Sequence, residues 1–418
     1  MQLSLVEDGV SAGAGEPPLV AVPSAVGEEL QLMLGGPGAP SVAKARAWAV
    51  CTPMMCIAVL GPLFAQMLPM IDPALAPAAT VNSVALAMFS LALAANTHLR
   101  WRALNAANAQ QDDAEAIEDL AQQHGLRELL LRAELTPDVA DTLATRAKQL
   151  RVGSYAAVLF AWTIVGALTY LIYSRGSLDL FQVVEAVVVC ACTPNLFLSM
   201  FGSVFLDTVA SAVIIDRLRL ITDRVQRSTP TTADFDGLLR EIVDAQHLVS
   251  RVAAALETPT VLFIIAMVAV AGDCFFLGIG PQPADPEALW YKGPREMIIS
   301  LGSFYVIFSI LSLGQPAKAT SACNALGEAI NELTTKGAGV PTKDQREVIE
   351  HLYGYVRNLN RGKRMGFMVH RKRISHSFVM SMLVRAVSSM AFLFPIILSL
   401  TRHAKREGEL QANATCAC

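Results

Sequence analysis

The chain has 418 residues, of which 53% are hydrophobic and only 17% charged, with a formal net charge of -3 and a mean hydropathy of +0.44. A soluble chain carries about a quarter charged residues, so the deficit points to lipid as the solvent. The small net charge, and the lack of Lys/Arg runs interleaved with aromatics, exclude a nucleic-acid groove.

Residues 1–46 are rich in Gly, Pro and Ala and carry scattered acids, a composition that predicts a disordered tail. The apolar blocks follow. A spanning helix needs roughly 20 apolar residues to cross about 30 Å of hydrocarbon, and its backbone must satisfy its own hydrogen bonds there. Seven blocks meet this requirement: Trp48–Pro69, Pro77–Asn96, Val152–Tyr173, Leu178–Ile215, Pro259–Ile279, Met297–Gly314 and Ser377–Leu400. The fold class is therefore an all-α membrane protein with seven transmembrane helices, multi-pass in the cell membrane.

The loops set the orientation. One side collects Lys44, Arg46, Arg100, Arg102, Arg146, Arg151, Arg217, Arg224, Arg251, Lys343, Arg364 and Arg373 among others; the other holds Arg175, Lys292, Arg295, Arg402, Lys405 and Arg406. By the positive-inside rule the N-terminus and the long loops are cytosolic and the C-terminus is outside. The basic C-terminal tail dissents. Asn413-Ala414-Thr415, a glycosylation sequon, favours the outside.

The cytosolic segments carry helical signals. Leu238, Leu239, Ile242, Val243, Leu248 and Val252 recur at three and four and run into the fifth span. Lys318–Leu333 continues the sixth span, and Asp344–Leu359 is a further amphipathic helix. The fourth block is too long for one crossing, since about 38 residues at 1.5 Å make roughly 57 Å. Helices four to six thus project into the cytosol, where their apolar stripes pack within one subunit or build an oligomerisation platform. The chain divides into a tail over 1–46, six spans over 47–317 with helical loops at 97–151 and 216–258, anchor helices over 318–375, a last span over 376–401, and an outer tail over 402–418.

After the sixth span the chain reads Cys323-Asn324-Ala325-Leu326-Gly327-Glu328-Ala329, then a loop and a helix, then Gly366-Phe367, a basic stretch and the last span. That order, with the inverted seven-helix topology, resembles the insect gustatory and odorant receptors and their gustatory-receptor-like relatives. The last span departs from the family pattern. It reads Ser388-Ser389-Met390-Ala391-Phe392-Leu393-Phe394-Pro395 and lacks the family's Tyr and Gln. The resemblance implies a chemosensory, ligand-gated cation channel: a homotetramer whose seventh helices line the pore and whose cytosolic anchor joins subunits. It also implies a small-molecule ligand held between helices two to six in the outer half of the membrane.

In the last span Ser381, Met382, Arg385, Ser388, Phe392 and Ile396 share a face. This is either a pore face, with hydroxyls and an apolar constriction, or a seam of tight helix packing. Arg385 snorkels to the inner edge, or faces a pore, where it would repel cations and argue for anion permeation or a non-channel role unless an acid such as Asp207 on the fourth helix neutralises it. Trp162, Tyr170, Tyr173, Phe181 and Glu185 at the outer ends of helices three and four are candidates for a ligand pocket, or else interfacial aromatics with a wetted carboxylate. Pro194 and Pro395 are expected to bend their helices.

No cofactor or metal is expected. Cys190 and Cys192 lack ligand spacing and a neighbouring histidine, and the seven histidines are scattered, which argues against an enzyme. The last span has no lysine for a retinal Schiff base. A secondary transporter of a small solute is the alternative, although no internal repeat is evident.

Overall fold

A computed structural model describes residues 19–35, 76–105, 126–131, 133–174, 180–228, 235–279, 289–333, 343–361, 366–369, 372–382 and 384–385. It is almost entirely helical. In chain order the elements are β1 (Val20–Ala21), α1 (Ser24–Gly35), α2 (Ala76–Asn105), α3 (Leu126–Leu131), β2 (Glu134–Leu135), α4 (Pro137–Ser174), α5 (Leu180–Arg227), α6 (Phe235–Ile279), α7 (Leu289–Leu333), α8 (Lys343–Arg361), β3 (Met368–Val369) and β4 (Lys372–Arg373). The second to sixth blocks of the sequence correspond to α2, α4, α5, α6 and α7. The first block lies outside the described residues.

Among the described residues three stretches are long and apolar enough to cross a membrane: Leu196–Arg227, Phe235–Phe275 and Ile299–Glu332. These belong to α5, α6 and α7, which form the centre of the bundle. α6 packs along both α2 and α7, and α5 packs along α7 and α4. The end of the bundle that carries α1, α8 and the β3–β4 hairpin is termed basal below, and the opposite end apical.

The long helices run on past their apolar stretches. α6 continues unbroken from Phe235 through Pro259, and α7 from the apical end to Leu333. α5 is helical through Pro194. The extension is wider than the sequence suggested, because α4 starts at Pro137, well before Val152. Its start is specified locally. Pro137 takes the first helical position, where its missing N–H is no loss, and Asp138 adds an acid to the first turn. The preceding residue, Thr136, is held by Asp216 of α5, which accepts from the Thr136 backbone N–H at 2.7 Å and from its hydroxyl at 2.9 Å.

The N-terminal segment differs from expectation. Ser24–Gly35 is a helix, with Val26, Leu30, Met33 and Leu34 buried against the bundle. These four recur at three and four, an amphipathic stripe that Gly- and Pro-rich flanks obscure in a compositional reading. β1 pairs antiparallel with β2, Val20 opposite Leu135, and ties this segment to the start of α4. α1 lies close on α5: a Cβ on Gly202 would stand 2.8 Å from the Met33 Cβ.

Two apolar clusters fill the bundle. The basal one gathers residues from α1, α5, α6, α7 and α8, among them Met33, Phe205, Ile242, Leu256, Leu326 and Leu352. The apical one gathers Phe89, Leu93, Phe197, Met200, Phe263, Met267, Tyr305 and Phe308 from α2, α5, α6 and α7. A layer of polar side chains lies at their junction.

Candidate functional site

The polar layer is built from two pairs at helical spacing. Asn96 and Arg100 stand four apart on α2, and Ser203 and Asp207 four apart on α5, so each pair shares a face. Arg100 and Asp207 are 0% and 1% exposed and form a bidentate pair at 2.6 and 3.0 Å. Arg100 Nε donates to Asn96 Oδ1 at 2.7 Å, Nη1 also reaches the Ser203 carbonyl at 3.2 Å, and Nη2 reaches Thr260 Oγ1 on α6 at 3.3 Å. Asn96 Nδ2 donates to Ser203 Oγ at 2.8 Å, and Ser312 of α7 donates to Asp207 Oδ2 at 2.8 Å. All of the guanidinium's N–H donors are used, which a buried charge requires. One cluster therefore joins α2, α5, α6 and α7.

The sequence placed Arg100 among the basic loop residues. The signal that would have found the pair is the matched spacing of Asn96/Arg100 and Ser203/Asp207 inside or beside apolar blocks. Of the alternatives open for Arg385, the pairing with Asp207 is not formed in the described chain. Asp207 is fully engaged by Arg100 and Ser312, and Arg385 is exposed.

The basal end holds a clasp. Gly366 sits at φ 112°, in the left-handed region that favours glycine. The next residue, Phe367, is buried, and its N–H donates to Thr320 Oγ1 of α7 at 3.2 Å. β3 pairs antiparallel with β4, Met368 opposite Arg373, and Ile374 N–H closes the turn on the Phe367 carbonyl at 2.8 Å. Arg373 folds back over Gly366 and hydrogen-bonds the Cys323 sulphur of α7. Burial lowers the Arg373 pKa, and the Cys323 contact acts the other way. Ser375 then caps the last helix: its hydroxyl accepts from Phe378 N–H at 3.2 Å, and its carbonyl from Val379 N–H at 3.0 Å.

The last helix is described over 376–382 and 384–385. Val379 and Met382 turn in against the basal cluster. Met382 thus leaves the face on which the sequence placed it with Ser381 and Arg385. Those two, with Met380 and Val384, are exposed in the single chain. Ser388, Phe392, Ile396 and Pro395 lie outside the described residues.

Of the pocket candidates, Trp162 donates its indole N–H to the Cys190 carbonyl of α5 at 2.8 Å and is partly exposed. Tyr170 is 68% exposed on α4. Tyr173, Phe181 and Glu185 lie on the helices α4 and α5, and their side chains are outside the described residues. The structure instead assembles an aromatic cluster among α2, α5 and α7. Phe89 and Phe304 each meet Tyr305 edge-on, with centroids 5.9 and 5.8 Å apart, and Phe308 packs on Phe201 at 4.6 Å and on Phe304 at 4.7 Å. Asp273 of α6 is also buried. Among the described residues no group of His, Cys, Asp and Glu is arranged to hold a metal.

No family model matches the sequence, and no curated protein matches it either. Solved structures do. The structure of the insect olfactory receptor OR5 from Machilis hrabei superposes with a TM-score of 0.58 at 10% identity, covering 89% of this chain and 97% of the receptor chain. The chain has the fold of an insect olfactory receptor. The same receptor in complex with eugenol superposes with a TM-score of 0.54 at 12% identity, covering 90% of this chain and 97% of that one. The olfactory-receptor fold covers nearly the whole chain, so the resemblance read from the sequence holds at the level of fold.

Proposed function

We propose that the chain is a subunit of a gustatory-receptor-like, ligand-gated cation channel with a chemosensory role, embedded in the cell membrane as a homotetramer. The observation that carries this reading is the fold shared over 97% of the olfactory receptor chain. In this reading the chain has seven spans with a cytosolic N-terminus, and the basal end is the cytosolic anchor. Arg102, Arg146, Lys148, Arg151, Arg217, Arg219, Arg224, Arg240 and Arg251 all fall on basal portions of their helices, which supports that orientation even with Arg100 removed from the tally.

The pore is lined by the seventh helix through Ser381, Arg385, Ser388, Phe392 and Ile396. Support comes from the exposed face of Met380, Ser381, Val384 and Arg385, which meets nothing described in its own chain. Trp162, Tyr170, Tyr173, Phe181 and Glu185 line the pocket for a small-molecule ligand in the outer half of the bundle. The test has two readouts on the full chain. Purified protein in lipid nanodiscs is expected to weigh as four copies, and cells expressing it are expected to pass cation current. A monomer without current would favour the transporter.

A further inference from the structure

Thr136 stands where the chain leaves β2 and enters α4, and one buried carboxylate engages both of its donors. Asp216 of α5 is 2% exposed; its Oδ1 accepts from the Thr136 hydroxyl at 2.9 Å and its Oδ2 from the Thr136 N–H at 2.7 Å. The Thr136 carbonyl accepts from the Val139 and Ala140 N–H groups, both at 3.1 Å, and so opens α4. Leu135, the residue before, is buried and pairs with Val20 of β1, and β1 leads into α1. The Asp216 bonds therefore hold together the start of α4, the β1–β2 pair and the approach to α1.

The junction is open to an enzyme. Thr136 is half-buried, with exposed Glu134 and Asp138 on either side. β2 is two residues long and pairs with β1, itself two residues long and exposed. A ladder this short opens at little cost. Once it opens, the Thr136-Pro137 step stays extended, because the proline ring bars the preceding residue from the helical region. An extended threonine followed by proline is the substrate form that proline-directed kinases accept. Among the described residues Thr-Pro also occurs at Thr193-Pro194 and Thr258-Pro259, but those steps lie inside α5 and α6, where neither can extend.

We infer that Thr136 is a phosphorylation site for a proline-directed serine/threonine kinase, and that the modification releases the β1–β2 pair and loosens α1 from the bundle. In the transfer the bond between the γ-phosphorus of ATP and its bridging oxygen breaks, and a bond from that phosphorus to Thr136 Oγ1 forms. ADP leaves, and the hydroxyl proton passes to the kinase. The product has lost the donor that Asp216 Oδ1 accepted from, and it carries a charge of about −1.5 to −2 at pH 7. Reclosure would press that charge against a buried carboxylate, where like-charge repulsion and desolvation both oppose it. The opened segment is therefore trapped. α1 keeps the Glu29–Arg151 bridge at 2.8 Å and its contact at Gly202, but loses its tether to the start of α4. The inference rests on the receptor reading for one point, that the basal end faces the cytosol, where ATP and kinases are.

The test uses the full chain in lipid nanodiscs, open on both faces, with ATP, magnesium and a purified mitogen-activated protein kinase whose activity is checked on myelin basic protein. Mass spectrometry maps the phosphate. Phosphate is expected on Thr136, and limited proteolysis is expected to cut the segment before α2 severalfold faster in the phosphorylated protein. Pro137→Ala keeps the hydroxyl and suits a first helical position, and it is expected to take no phosphate there. Asp216→Asn is expected to take phosphate but to show little difference in cleavage between the two forms, because the amide carries no charge to repel it. The inference is overturned if Thr136 takes no phosphate, or if the phosphorylated protein is cut no faster than the unmodified one. Labelling in nanodiscs depends on neither orientation nor current, so the two readings fail separately. Phosphate on Thr136 with faster cleavage, in a monomer that passes no current, keeps this site and sinks the channel; a conducting tetramer with Thr136 unmodified does the reverse.

Discussion

Arg100 and Asp207, 107 residues apart in sequence, meet as a bidentate ion pair on the facing sides of α2 and α5, with both side chains shut off from solvent. A buried pair of this kind is sensitive to losing one member, because the other charge is left uncompensated. Arg100→Ala and Asp207→Asn are each expected to destabilise the protein by about 3–5 kcal/mol. Thermal unfolding followed by size-exclusion chromatography measures this. The double variant Arg100→Met with Asp207→Leu is expected to recover most of the loss, since neither charge then remains.

The same pair decides a charge-reversal experiment. Arg385→Glu combined with Asp207→Arg is expected to be no more stable than Asp207→Arg alone. The new arginine would face Arg100, and Arg385 is exposed whereas Asp207 is buried. Recovery in the double variant would show that Asp207 serves Arg385 after all.

Gly366→Ala is expected to lower stability by about 1–3 kcal/mol, the usual range for a strained backbone position. An added Cβ there would stand 2.8 Å from Arg373 Nε and 3.1 Å from Thr320 Oγ1, at a φ that side chains rarely adopt. Ala at Gly354, in the middle of α8 with open space around it, is the control and is expected to be neutral or slightly stabilising. Unfolding midpoints of the two variants give the comparison.

The outward face of the last helix gives a direct assay of assembly. Met380 and Val384 are 59% and 61% exposed in the single chain. In a tetramer built around this helix, Met380→Cys is expected to cross-link with a short bis-maleimide into species of two, three and four chains on a denaturing gel. A band at the monomer position alone would contradict the assembly.

Gly202→Ala is expected to loosen α1, because the new methyl would press on Met33 at 2.8 Å from its Cβ and 3.1 Å from its backbone carbon. Limited proteolysis is expected to cut the segment before α2 faster in this variant than in the parent.

Much of this architecture is legible in the sequence. The second, third, fifth and sixth apolar blocks each fall within one long helix, the fourth lies on α5 from Leu180 onward, and α8 covers the amphipathic stretch expected over Asp344–Leu359. The Gly366-Phe367 step stands out in the sequence, and the positive φ and the Thr320 bond explain why those two residues stand there. What escaped the reading depends on partners far away in the chain. α1 is short and sits between Gly- and Pro-rich flanks, so composition pointed to disorder, whereas its stripe of Val26, Leu30, Met33 and Leu34 becomes visible once α5 is there to receive it. The start of α4 was locally encoded by Thr136-Pro137-Asp138, a helix-start signal that hydropathy windows pass over. Arg100 counted as a loop cation because charge at the edge of an apolar block suggests a boundary. Only the arrival of Asp207 makes its burial tolerable.

α7 is one helix from Leu289 to Leu333, and it is held near its middle by the hydrogen bond from Ser312 to Asp207. Tyr305 lies about 10 Å from that point in the apical direction and Thr320 about 12 Å from it in the basal direction, by helical rise. One continuous helix therefore links the Tyr305 ring of the apical cluster to the Thr320 hydroxyl of the basal clasp. A substitution that shifts this helix at its apical end is expected to be felt at the Phe367 amide, which bonds the same helix.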